Sequence, residues 1–273
     1  MAVETDVKLL CDSYEIPGIL VLPESVDSSE GFPAVLLLHG TGGHKDEIGG
    51  LYKRLADRLS QRGIASLRID FIGCGDSSEP HVNNNLHSSI RNVHAALQFL
   101  HGSERIDNSR IGLVGYSQGG RIAQMVAGRE PNIKALVTWA SASGNGYENF
   151  GMFWSYRNEA MQNGQVMITT VFGQQLHLGK DWFEAIEQSR ALDDIANYHG
   201  PLLALHGSED TLVPPDLSRE LIRHAGGNDI TLKMITGGNH GFNVYDERGK
   251  LAENQSIAEE LLELSADWLS RQL

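Results

Sequence analysis

The stretch Ile111-Gly-Leu-Val-Gly-Tyr-Ser-Gln-Gly-Gly-Arg-Ile-Ala-Gln-Met-Val126 passes from an apolar run, through a cluster of glycines around one serine, into a segment with helical periodicity. It contains Gly115-Tyr-Ser117-Gln-Gly119, a G-x-S-x-G arrangement. In a chain with 30 glycines that pattern alone is weak. Its context is specific: a strand before it and a helix after it place Ser117 at the apex of a turn too tight for side chains at Gly115 and Gly119. Gly120 lets the helix lie close to the strand. The free N–H groups and positive dipole end at the helix start favour negative charge developing beside Ser117.

Outward from this turn, strands and helices alternate. Residues 5–22 read as two strands, followed by a polar stretch from Glu24 to Gly31. Ala34-Val-Leu-Leu-Leu38 is continuously apolar, the mark of a strand covered on both faces. Leu51, Leu55 and Leu59 predict a helix over 48–61 that Gly63 ends. Strands follow at 64–69, 110–114, 133–139, 201–205 and 230–235. Between and after them, helices fall at 86–100, 117–127, 215–225 and about 255–271. This order predicts an α/β fold: a mostly parallel central sheet with helices on both faces.

One segment breaks the alternation. From Ser143 to Ser189 there are 47 residues where a single helix would suffice. They carry Tyr147, Phe150, Phe153, Trp154, Tyr156, Phe172, Trp182 and Phe183, and a hairpin is expected from Val166–Val171 and Gln175–Leu178. An insertion this long usually has its own structure and a function. We therefore divide the chain into a core, 1–142 and 190–273, and an inserted cap, 143–189, over the C-terminal edge of the sheet. The alternative is a peripheral decoration whose aromatics pack on one another. As a cap, it offers Trp154, Tyr156, Phe172 and Trp182 as substrate contacts.

A serine hydroxyl needs a base to become a nucleophile. Of the 11 histidines, His240 is the candidate, because Thr236-Gly-Gly-Asn-His-Gly-Phe242 is a loop of small residues directly after the last strand. His206 ends a buried strand and reads as structural. His87, His94 and His101 recur every seven residues, about 10 Å apart along a helix, too far to share one metal. The base in turn needs a carboxylate. Asp210, in His206-Gly-Ser-Glu-Asp210 after a strand, is the candidate, with Glu209 and Asp216 as rivals. Two N–H donors are needed for an oxyanion. Gln118 follows the serine, and Thr41 lies in the glycine-rich loop His39-Gly-Thr-Gly-Gly-His44.

Composition narrows the partners. A formal net charge of −13 opposes binding to nucleic acid or to anionic membranes. Cys11 and Cys74 form no disulfide scaffold and read as inert reduced thiols. The N-terminal Met-Ala-Val-Glu-Thr-Asp has no basic segment followed by an apolar run, so a cytoplasmic location is expected. The expected partner is a small-molecule ester, with no metal and no cofactor; the reading admits a homodimer.

His39-Gly40, Asp70–Ser77, Gly115–Gly119, His206–Asp210 and His240-Gly-Phe242 together resemble the α/β-hydrolase superfamily along the whole chain. Within it the chain is similar to bacterial feruloyl and cinnamoyl esterases. Those carry an N-terminal hairpin and an inserted cap between the sixth and seventh strands. The similar stretches are Arg157-Asn-Glu-Ala, Leu178–Phe183 and Leu192-Asp-Asp-Ile195. The resemblance implies a serine esterase acting on aromatic or apolar acyl groups, with a Ser117–His240–Asp210 triad. Cys74 stands where that family commonly has a histidine, and Gly241 where it often has a bulkier residue. Thioesterase, dienelactone-type hydrolase and small serine peptidase are the enzymatic alternatives; a ligand receptor on the same fold is the non-enzymatic one.

Overall fold

A computed structural model describes residues 2–24, 31–170 and 173–273. Residues 25–30 of the polar stretch, Val171 at the expected hairpin's end, and Phe172 lie outside the described residues.

The elements, in chain order, begin with β1 (Val3–Cys11), β2 (Tyr14–Leu22), β3 (Phe32–Leu38), α1 (Leu51–Gln61), β4 (Ala65–Ile69) and α2 (Leu86–His101). Then come β5 (Ile106–Tyr116), α3 (Gln118–Ala127), β6 (Ile133–Trp139), α4 (Gly151–Trp154) and α5 (Arg157–Asn163). The chain continues through β7 (Gln165–Thr169), β8 (Gln175–Gly179), α6 (Lys180–Gln188) and α7 (Ala191–Ile195). It ends with β9 (Leu202–Gly207), α8 (Asp216–His224), β10 (Ile230–Ile235) and α9 (Ser256–Gln272).

Among the described residues, eight strands form one sheet in the order β1-β2-β4-β3-β5-β6-β9-β10. Only β2 runs against the others. Period-two alternation divides the core. Ala34, Leu36 and Leu38 face the layer containing α2, α3, α7 and α8, while Val35 and Leu37 face α1 and α9. On the second face, Arg54 and Arg58 of α1 and Arg62 just after it meet Glu259, Glu263 and Asp267 of α9 in a ladder of ion pairs.

The helix expected from residue 48 starts three residues later. Gly49 and Gly50 have φ of 55° and 68°, so residues 48–50 form a single 3₁₀ turn before α1. The strand expected at 110–114 extends over Ile106–Tyr116. Cys11 and Cys74 are buried free thiols, and burial pushes the Cys74 thiol up to about 12. No described helix is long and apolar enough to cross a membrane.

Residues 143–189 hold α4, α5, the β7–β8 hairpin and α6. Their buried side chains, including Phe150, Val166, Leu178, Trp182 and Phe183, join the core of the α2–α3 layer. The two ends of the segment meet: the Gly146 amide donates to Ser189 O at 2.9 Å. Arg121, on α3 one turn beyond Ser117, fastens both ends. Its Nη2 reaches Gly146 O at 2.7 Å and Ser189 Oγ at 2.6 Å, and its Nη1 reaches Ala142 O at 3.2 Å. Burial lowers the Arg121 pKa to about 9, while oxygen acceptors at Nη1 and Nη2 and the Phe150 ring 5.1 Å away offset part of that cost.

Candidate active site

Ser117 sits between β5 and α3 at φ 53°, ψ −118°, a strained backbone for a non-glycine residue. Close packing enforces it: a Cβ on Gly115 would lie 2.3 Å from Gly119 O, and one on Gly119 only 2.0 Å from Leu38 O. The Gly120 and Arg121 amides turn back to Ser117 O, and the Ser117 amide donates to Trp139 O. That leaves the first amides of α3, Gln118 and Gly119, without intrahelical partners.

Three side chains from three strand ends form one hydrogen-bonded chain. His240 Nε2 lies 3.1 Å from Ser117 Oγ, and His240 Nδ1 lies 2.8 Å from Asp210 Oδ2. Glu209 and Asp216, the rival carboxylates, are exposed, and Asp216 pairs with Arg219. Asp210 is nearly saturated. Its Oδ1 accepts from the Leu212 and Val213 amides, both at 2.9 Å, and its Oδ2 also meets His206 Nε2 at 3.1 Å. Burial raises its pKa, but the hydrogen bonds from His206 and His240 outweigh this and hold the carboxyl well below its ordinary range.

His206 does more than end a strand. Its Nε2 faces two acceptors, Asp210 Oδ2 and Val213 O, so that nitrogen carries the proton; Nδ1 then accepts from Ser218 Oγ at 2.6 Å. The His240 loop is braced twice. Tyr116 Oη donates to His240 O at 3.1 Å, and Asn239 and Asn243 exchange side-chain bonds to each other's amides at 2.8 and 2.9 Å. Neither the His206–Asp210 contact nor the asparagine exchange has a signal in sequence spacing. His87 and His101 are exposed, and His94 lies near Glu130.

The loop after β3 is pinned peptide by peptide. The Gly40 amide donates to Glu47 Oε2 at 2.8 Å, and Gly40 O accepts from the Gly43 amide at 3.0 Å. His39 Nε2 accepts from the Phe71 amide, so Nδ1 bears the proton given to Gly40 O at 2.8 Å. Burial lowers the His39 pKa to about 4, which keeps the ring neutral. A trans peptide is rigid, so fixing Gly40 O also fixes the Thr41 N–H, which points the opposite way. Thr41 Oγ1 donates to Gln118 Oε1 at 2.5 Å, joining this loop to the turn around Ser117. Glu47 holds its place at φ 59°, and burial raises its carboxyl to about 7.

Ser117, His240 and Thr41 line a cavity of about 780 Å³. Its apolar wall is made by Ala142, Phe150, Met152, Phe153, Leu212 and Val213. Of the expected substrate contacts, Trp154, Tyr156 and Trp182 are not among the lining residues. Trp182 is fully buried edge-to-face against Phe150, Phe153 and Phe183. Trp154 stacks on Tyr147 with centroids 4.3 Å apart, and Tyr156 is exposed; neither lines the cavity. The aromatic content marks the segment, but α4 turns Met152 and Phe153, not Trp154, toward the opening.

A family model described as alpha/beta hydrolase fold matches residues 33–178, just over half of the chain. The chain belongs to this family. A second family model, described as serine aminopeptidase S33, matches residues 157–244. Among curated relatives, the uncharacterized protein YcjY of Escherichia coli is 26% identical over 50% of this chain and 46% of its own length. The 2,6-dihydropseudooxynicotine hydrolase of Paenarthrobacter nicotinovorans is 25% identical over 85% of this chain and 58% of its own. The chain thus spans about half the length of these relatives. Among solved α/β-hydrolases, Est1E from Butyrivibrio proteoclasticus with bound ferulic acid superposes with a TM-score of 0.75 at 21% identity. That likeness covers 97% of this chain and 98% of Est1E, and it shows the fold.

Proposed function

We propose that the chain is a serine esterase that cleaves esters of aromatic or medium-sized apolar acids through an acyl-enzyme. The observation that carries this reading is the Ser117–His240–Asp210 chain of hydrogen bonds opening onto the cavity. In the proposed reaction His240 Nε2 takes the Ser117 proton as Oγ attacks the ester carbonyl carbon. Asp210 holds the tautomer with Nδ1 protonated and stabilises the imidazolium. The carbonyl oxygen, now negative, receives the Gln118 and Thr41 amides. Collapse expels the alcohol, which leaves with the proton from His240. Water, deprotonated by the same imidazole, then attacks the acyl-enzyme and releases the acid.

The acyl preference is supported by the apolar wall of Phe150, Met152, Phe153, Leu212 and Val213. In this reading residues 143–189 act as a cap, with Phe150 and Phe153 taking the role that sequence suggests for Trp154, Tyr156 and Trp182. A fluorophosphonate probe tests the nucleophile: wild type is labelled, and Ser117→Ala is not. Ser117→Ala should also lower turnover of p-nitrophenyl esters by roughly 10⁶-fold at unchanged melting temperature. A folded Ser117→Ala protein retaining a tenth of the activity would refute the assignment.

A further inference from the structure

We infer that the Thr41 hydroxyl and the Gln118 carboxamide are a positioning pair that sets the spacing between the two oxyanion amides. The inference rests on the esterase reading above. The two amides belong to segments 77 residues apart, the loop after β3 and the start of α3. Each segment is braced on its own side. His39, Gly43 and Glu47 fix the peptides around Gly40, while Trp139 O holds the Ser117 amide.

Those braces orient each amide but do not set the gap between them. The register of β3 with β5 ends at Leu38 and Gly115, short of both donors. Beyond that point, among the described residues, the Thr41–Gln118 side-chain bond is the only hydrogen bond between residues 40–47 and 117–121. Gln118 is 3% exposed, so its carboxamide sits in the protein and not in solvent. The backbones are also close: a Cβ on Gly40 would lie 3.3 Å from Ser117 Cβ. The tie therefore acts on segments already in contact, where a shift of a few tenths of an ångström alters the donor geometry. Oxyanion donors work at about 2.7–3.1 Å from the oxygen, so loosening one edge of the hole is felt in the transition state more than in substrate binding.

The test is a double-mutant cycle on an ester that the wild type turns over. Thr41→Val keeps the branched shape and removes the hydroxyl; Gln118→Met keeps the length and removes the carboxamide, and both keep the backbone amides. Each should lower kcat about 10-fold, less than loss of a whole donor, with KM within about twofold. The double variant should be no slower than the slower single, because both delete the same bond. Thr41→Ser should restore most of the rate lost in Thr41→Val. Affinity for a trifluoromethyl ketone analogue should fall in step with kcat/KM. If Thr41→Val lowers the melting temperature into the assay range, Gln118→Met carries the comparison. An unchanged kcat, a loss confined to KM, or losses that multiply in the double variant would overturn the pair alone. A wild type inert toward every ester and unlabelled by fluorophosphonate would overturn the esterase reading and this pair with it.

Discussion

His206 Nε2 lies 3.1 Å from Asp210 Oδ2, the same carboxylate oxygen that His240 Nδ1 reaches at 2.8 Å. Asp210 is thus held between two imidazoles, only one of which touches the serine. His206→Leu keeps volume but strips Asp210 of a donor and orphans Ser218 Oγ and Val213 O. We expect a loss of about 2–3 kcal/mol in urea unfolding and a fall in kcat of about 10-fold. The depressed Asp210 pKa lends stability that is complete above the ordinary carboxylate value of about 4 and fades as pH drops below it. His206→Leu should raise that pKa, so acid unfolding should begin at higher pH. A folded variant with wild-type kcat would make the second imidazole purely structural.

Asp210→Asn should cost roughly 10⁴-fold in turnover, because an amide favours the wrong imidazole tautomer. Glu209→Gln and Asp216→Asn should stay within about twofold, since both carboxylates are exposed and lack contact with His240. Steady-state kinetics on one p-nitrophenyl ester decides among the three.

Phe153→Ala should reduce the ratio of specificity constants for a cinnamate over an acetate ester by about 10- to 100-fold, because a pocket contact serves only the larger acyl group. Trp154→Ala should leave that ratio unchanged. Trp182→Ala should remove about 3–5 kcal/mol of stability and slow every substrate alike, as expected of a fully buried ring. Ratio and melting temperature together separate cavity wall from core.

Glu47 titrates near 7 in the fold, above its ordinary value of about 4.5, because burial disfavours its charge. The folded state therefore keeps a proton that the unfolded chain releases, and stability from this group declines as pH rises from about 4.5 to 7. Glu47→Gln should remove that decline. The stability difference, wild type minus variant, should drop by up to about 3 kcal/mol over this interval in urea titrations. Parallel pH profiles would contradict the raised pKa.

The doubly covered run Ala34–Leu38 and the glycine cluster around Ser117 make the sheet and its central turn legible in sequence. Ser117, Asp210 and His240 are legible for a related reason: each follows a strand end, where parallel strands direct their loops to one edge. The wall of the cavity is not. Which face of α4 turns to the opening depends on how residues 143–189 lie on the α2–α3 layer, and Phe153 and Trp154 are equally aromatic before that packing exists. His206 and Asp210 are four residues apart, and only the chain reversal at Gly207–Val213 brings ring and carboxylate together.

The bond between the Gly146 amide and Ser189 O, clasped by Arg121, lets the chain leave the sheet and return at one point. Whatever is spliced between those two residues adds no span for the sheet to bridge. Loop closure grows only logarithmically with length, about 0.6 kcal/mol for each doubling. The stem therefore uncouples the length of the segment from the sheet: residues added or removed between Gly146 and Ser189 should leave the strand register as it is.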